Sequence, residues 1–160
     1  MKPVSICLSV LLTISASWTV TYWPGASAPQ VALEKEREAV RRAVLDYVEG
    51  VYKVKPEWIE RSVHPDLKKF GYWRPDEQAD FKDGQPMTFE QLRKLAGVYN
   101  QDGRISDDAP KDVKVFEVMS RIASAKVDAA WGTDYFQLVK EDGKWKILQV
   151  VWQSPDKRDE

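Results

Sequence analysis

Residues 112–152 read DVKVFEVMSRIASAKVDAAWGTDYFQLVKEDGKWKILQVVW, and this stretch decides the fold. It divides into strands at 112–120 and 122–131 and a long limb at 135–152 that folds over at Glu141-Asp142-Gly143. In the second strand Ala123, Ala125, Val127 and Ala129 share one face, with Ser124, Lys126 and Asp128 on the other. The limb then sets Tyr135, Gln137 and Val139 against Phe136, Leu138 and Lys140. After the turn, Trp145, Ile147, Gln149 and Val151 oppose Lys146, Leu148, Val150 and Trp152. Apolar residues fall on both faces of this last strand, which predicts a central strand or one covered twice. One face is expected to pack on helices. The other, carrying Leu148, Val150 and Trp152, is expected to meet a second subunit.

The half of the chain before this meander is helical. Leu33, Val40, Val44, Tyr47, Val48 and Val51 trace one stripe of a helix over 33–52, with Glu38 and Arg42 spaced for an i,i+4 pair. Pro56 opens a short second helix to about Val63, with Trp58, Ile59 and Val63 as its buried side. His64-Pro65-Asp66-Leu67 reads as an extended or turn segment. Residues 68–74 follow as a strand anchored by Phe70 and Trp73, then 75–85 as a loop or hairpin tip. Thr88 and Gln91 have capping-box spacing ahead of a third helix whose apolar face is Phe89, Leu92, Leu95, Ala96 and Tyr99. Residues 100–110 are polar and are expected to form a mobile loop.

A basic start, an apolar run from Val4 to Val20, a break at Trp23-Pro24-Gly25 and the small-x-small run Ala26-Ser27-Ala28 mark 1–28 as a signal peptide. Pro29 directly after the cut leaves an uncleaved membrane anchor as the alternative. Residues 29–32 then read as a linker, 33–153 as one domain and 154–160 as a tail. The protein is therefore expected to be exported, to the periplasm or beyond. Its single cysteine, Cys7, lies in the leader, so the mature chain has no thiol for a disulfide, a nucleophile or a metal site. One histidine and no such thiol argue against a protein-built metal centre. A net charge of -1 with interspersed signs gives no footprint for nucleic acid.

The order of these elements carries a resemblance. Residues 43–50 (AVLDYVEG), 63–67 (VHPDL), 122–127 (IASAKV), 138–140 (LVK) and 142–147 (DGKWKI) follow one another as in the nuclear transport factor 2-like superfamily. The bacterial group labelled putative lumazine-binding is the part of it most similar. The resemblance implies an α+β roll of the cystatin-like kind: a curved, mostly antiparallel sheet wrapped around a long N-terminal helix as a cone. It also implies a pocket at the open end and a homodimer through the outer sheet face. It implies no single activity, since the fold hosts isomerases, dehydratases, carriers and interaction modules.

The chemistry-bearing residues are few. His64 is the only imidazole, with Asp66 near enough in sequence to fix its tautomer; it is a candidate base or a structural cap. Isomerases of this fold need a carboxylate base facing a Tyr or a protonated acid. Tyr47 and Tyr135 are candidate donors, and Asp46, Asp128 and Asp134 candidate bases. Asp46 neighbours Tyr47 on a helix and so points about 100° away from it. Asp128 shares a face with Lys126 and Ser124, and Asp134 falls in what reads as the turn Gly132-Thr133-Asp134. Gln137 and Gln149 lie among apolar neighbours and need partners if buried. The candidate pocket is thus Tyr47, His64, Trp73, Trp131, Tyr135, Gln137 and Gln149, suited to a small apolar or aromatic ligand.

The leading expectation is a non-catalytic module binding a small molecule or a protein, with no cofactor. The alternatives are an isomerase or dehydratase using His64 or a pocket acid as base, and an accessory domain that binds another exported protein through its sheet. A membrane is involved only if the leader is retained.

Overall fold

The structure is a computed structural model describing residues 28–76 and 78–156. The leader reading falls on residues outside that range, apart from Ala28. Helix α1 spans Ala28–Tyr52 and α2 spans Pro56–Ser62. Strands β1 (Val63–Tyr72) and β2 (Gln85–Met87) follow, then α3 (Phe89–Ala96) and the meander β3 (Lys111–Val118), β4 (Ile122–Ala129), β5 (Gly132–Glu141) and β6 (Lys144–Gln153). The six strands form one sheet in the order β2-β1-β6-β5-β4-β3. Only β1 and β6 are parallel; every other neighbour runs antiparallel. The fold is thus the expected α+β roll, with β6 central.

The core lies between α1 and the inner sheet face. Val40, Val44, Tyr47, Val48 and Val51 of α1 meet Ala125 and Val127 of β4, Phe136 and Leu138 of β5, and Ile147 and Val150 of β6. The capping box at Thr88 and Gln91 is formed, and Leu92 and Ala96 are the buried side of α3. The hairpin between β5 and β6 turns on Asp142 and Gly143, both at positive φ (48° and 75°), the handedness that matches strand twist in a two-residue turn.

Several local readings change. Residues 29–32 belong to α1 rather than to a linker. Arg42 pairs with Asp46 and Glu49, both at 2.7 Å, and not with Glu38. The segment 64–67 is part of β1, extended as proline and its predecessor prefer, and pairing with β6 is irregular between Val63 and Lys68. The loop after α3 is tied down: Asn100 donates to the Tyr52 and Ile105 carbonyls (2.7 and 2.9 Å) and accepts from the Ile105 amide at 2.8 Å. Ser154, read as tail, is buried, and its amide donates to the Tyr72 carbonyl at 3.0 Å.

The largest correction is in β6. Gln149 pairs with Gln137 while Ile147 pairs with Leu138, so Leu148 is an extra residue, a β-bulge. Strict alternation therefore fails at that point. Trp145 and Ile147 point inward before the bulge, and Val150 and Trp152 after it. Val150 is fully buried, so the outward face read for Leu148, Val150 and Trp152 does not exist.

Candidate functional site

The site forms where the C-terminal half of α1 faces β1 and the start of β5. Inward positions of β1 are Leu67, Lys69 and Gly71, leaving Lys68, Phe70 and Tyr72 outside. A lysine thus enters the interior, only 6% exposed. Asp134 follows the same period on β5 as Phe136 and Leu138, and is 0% exposed. It does not belong to a turn, because β5 already begins at Gly132, pairing with Ala129 across a shorter connection.

Lys69 Nζ donates to Tyr47 Oη at 2.8 Å and lies 3.7 Å from Asp134 Oδ1. Trp131 Nε1 donates to Asp134 Oδ2 at 3.3 Å. Asp134 Oδ1, fully buried, makes no hydrogen bond among the described residues. The ammonium also sits 5.0 Å from the centre of the Trp152 ring, a favourable place for a cation. Burial dominates the electrostatics of all three groups. It pushes the Lys69 amine below its usual pKa, against the opposing pull of Asp134. It pushes the Asp134 carboxyl up, against the opposing pull of Lys69 and of the neighbouring Tyr47 and Trp131. It pushes the Tyr47 phenol well up, and here the Asp134 charge adds to the effect. Each group is thereby driven toward its neutral form.

This cluster closes one end of a cavity of about 70 Å³ lined by Tyr47, Val51, Lys69, Met87, Leu92, Leu95, Tyr99, Trp131 and Trp152. Lys69 is the only one of the nine with a formal charge. Asp134 is not among them, so the amine stands between the cavity and the carboxyl. Trp131 is held edge-on by Tyr47, Tyr52 and Tyr99, with ring centres 5.5–6.3 Å apart. A second cavity, of about 260 Å³, shares Tyr99, Trp131 and Trp152 with the first and continues to Trp73, Arg74 and Asp76. Gly71 sets the position of the shared wall. It pairs with Trp152, and a β-carbon there would fall 1.9 Å from the indole nitrogen. Among the described residues no group of three or more His, Cys, Asp and Glu side chains is placed to hold a metal ion.

Of the residues singled out from sequence, Tyr47 and Trp131 line the inner cavity, and Trp73, though half exposed, lines the outer one. The other four lie elsewhere. His64 is at the far end of the roll. Its Nδ1 accepts from the Asp66 amide at 3.0 Å, which leaves Nε2 to donate to Glu141 at 3.1 Å. Glu141 is seven residues along β5 from Asp134, about 23 Å of strand. Tyr135, Gln137 and Gln149 are on the outer sheet face, Tyr135 stacked on Phe116 with ring centres 6.3 Å apart. Lys69, Met87, Leu92, Leu95 and Tyr99 were not singled out for the pocket. Leu92, Leu95 and Tyr99 carried a signal as the α3 stripe; Lys69 carried one only as the residue two places before Gly71 and two after Leu67.

Sequence comparison matches residues 35–153 to a family described as putative lumazine-binding. The chain belongs to this family. The matched span holds every lining residue of both cavities except Ser154 and Pro155. No curated protein matches this family member in sequence. Solved structures that share its fold include a nuclear transport factor 2-like (NTF2-like) protein of unknown function from Shewanella baltica. That protein is 18% identical with a TM-score of 0.59, over 76% of this chain and 95% of the other. Another is an NTF2-like protein with a cystatin-like fold from Novosphingobium aromaticivorans, at 11% identity and a TM-score of 0.55, covering 82% of this chain and 89% of that one. A third, from the same organism, is named a putative scytalone dehydratase, at 14% identity and a TM-score of 0.51, covering 82% and 91%. At these identities the family member shares their fold, and no more is carried over.

Proposed function

We propose that this protein binds a small, flat, largely apolar ligand, with an acceptor oxygen of the ligand at Lys69 in the inner cavity. Its body extends past Trp131, Trp152 and Tyr99 into the second cavity of about 260 Å³, since about 70 Å³ alone is too small for an aromatic ring. The observation that carries this reading is the Lys69–Tyr47 hydrogen bond, with a single charged group at the closed end of an otherwise apolar, aromatic-walled cavity. The family description, which names a heteroaromatic ligand, agrees with it. The test is quenching of tryptophan fluorescence by lumazine and by benzaldehyde, in the wild type and in Lys69→Met. Saturable quenching that weakens in Lys69→Met is expected; its absence for both probes would remove the reading.

A second reading has support in Asp134, a fully buried carboxyl with an unfilled acceptor atom beside a phenol. With the Lys69 side chain swung off the cavity wall, that pairing suits proton abstraction next to a carbonyl, with Tyr47 as donor to the oxygen. Turnover of a β,γ-unsaturated ketone, lost in Asp134→Asn while ligand quenching persists, would place the protein among isomerases.

The same proposal includes export and a homodimer. Export is supported by the leader-like residues 1–28, and intact mass of the protein from host periplasm tests it. Pairing of two copies is supported by the aromatic outer face, where Phe70, Tyr72, Phe116, Tyr135 and Val151 are exposed across β1, β3, β5 and β6. Sedimentation velocity should give a dimer that Tyr135→Lys dissociates.

A further inference from the structure

We propose that Lys69 forms an imine with a small aldehyde or unhindered ketone held in the inner cavity. The inference rests on that cavity being a ligand site, and adds the chemical class of the ligand and a covalent step.

Three observations carry it. The first is position. Lys69 Nζ is the only amine at the cavity, and the other lining groups are aliphatic, aromatic, thioether or phenolic. An aldehyde entering there meets one nucleophile. The second is the partner behind it. Asp134 Oδ1 is buried, 3.7 Å from the amine and without a hydrogen bond among the described residues, so an acceptor is in place for a proton leaving nitrogen. The third is the phenol. Tyr47 Oη, 2.8 Å from Nζ, orients the amine and is a hydroxyl beside any atom bonded to it. Burial, which favours the free base of Lys69 and the acid form of Asp134, acts in the same direction. A pair held for stability alone gains most when closed to hydrogen-bond distance with every polar atom satisfied. This one is left open on the side away from the cavity.

The step balances within these groups. The lone pair of Nζ forms the C–N bond, and the carbonyl π electrons move to oxygen, which takes the Tyr47 hydroxyl proton, replaced in turn from the Asp134 carboxyl. The resulting carboxylate accepts one hydrogen from nitrogen and returns it through Tyr47 to the hydroxyl, which leaves as water. The Asp134 carboxylate takes the second nitrogen hydrogen, which gives the neutral imine and restores the carboxyl. Amine and carbonyl compound thus become imine and water, with the Asp134 carboxyl regenerated, and no oxidant or cofactor enters.

The test is borohydride trapping. The purified full chain is incubated with benzaldehyde, reduced, digested and mapped by mass spectrometry. Binding is followed in parallel by tryptophan quenching with benzyl alcohol, which has the same ring and no carbonyl. The expected result is benzylation of Lys69 about tenfold or more ahead of exposed lysines such as Lys114, because an amine positioned beside a bound carbonyl reacts first. If benzyl alcohol quenches but Lys69 is labelled no faster than Lys114, the imine is overturned and the binding site stands. If neither quenching nor labelling of Lys69 occurs, both fall together.

Discussion

Lys69 Nζ and Asp134 Oδ1 face each other across 3.7 Å inside the protein, beyond hydrogen-bond reach, while the amine turns to Tyr47 at 2.8 Å. Two polar groups this deeply buried hold each other in place. Lys69→Met and Asp134→Asn are each expected to cost about 3 kcal/mol of unfolding free energy, because either leaves an unmatched polar group in the interior. The combined variant should cost about 1–3 kcal/mol less than the sum. Urea unfolding of the four proteins measures this coupling, and simple additivity would show that the two groups are energetically independent.

Gly71→Ala tests the wall between the cavities. Its β-carbon would enter the Trp152 ring, so the indole must move, at a cost of about 1–3 kcal/mol. The expected protein is folded by far-UV circular dichroism, with altered near-UV bands and weakened benzaldehyde quenching. Unchanged tryptophan spectra would mean that Trp152 does not depend on Gly71.

Glu36 predicts a pH dependence. Lys140 donates to it at 2.6 Å and Trp145 Nε1 at 2.8 Å, and these hydrogen bonds, Lys140 first, hold its carboxyl below the usual 4.5. A depressed carboxylate stabilises the fold fully above its unfolded pKa and loses that contribution as pH falls through the folded value. Wild type should therefore exceed Glu36→Gln in stability at pH 7, and the gap should close on acidification below 4.5. A gap constant from neutral to acid pH would assign the effect to packing.

Asn100→Ala should release the loop after α3. Three hydrogen bonds end on this side chain, and its loss is expected to cost about 2 kcal/mol. Hydrogen exchange reports it directly: the Ile105 amide, which donates to Asn100, should exchange faster, while amides of β5 stay protected.

What sequence alone could reach depended on whether side-chain polarity agreed with direction. Ala123, Ala125, Val127, Phe136 and Leu138 are apolar and inward, so periodicity placed β4 and β5. In β1 the relation is inverted. Phe70 and Tyr72 face out, while Lys69 and Gly71 face in, and a reading that sends aromatics to the core chooses the wrong side. Asp134 was misplaced for a similar reason: Gly132-Thr133-Asp134 has turn composition, and only the tight Ala129–Gly132 pairing shows that the strand has already begun. His64 drew attention as the only imidazole, yet its bonds to Asp66 and Glu141 use it to fasten the opposite end of the roll. The residues hardest to read were thus those at the cavity, where local preference is overridden by what the site holds.

The bulge at Leu148 makes the length of β6 as consequential as its composition. Residues before and after it obey alternation in different phases, so the bulge itself decides which face everything beyond it takes. Straightening the strand with Leu148 kept in register would turn Val150 and Trp152 to solvent and bring Gln149 and Val151 inside, whereas loss of Leu148 alone would remove the bulge and leave Val150 and Trp152 inward. Among relatives, β6 should accordingly accept loss of one residue at the bulge more readily than elsewhere in the strand, and the Trp152 wall would be lost to a register slip that leaves every pocket residue present in the sequence.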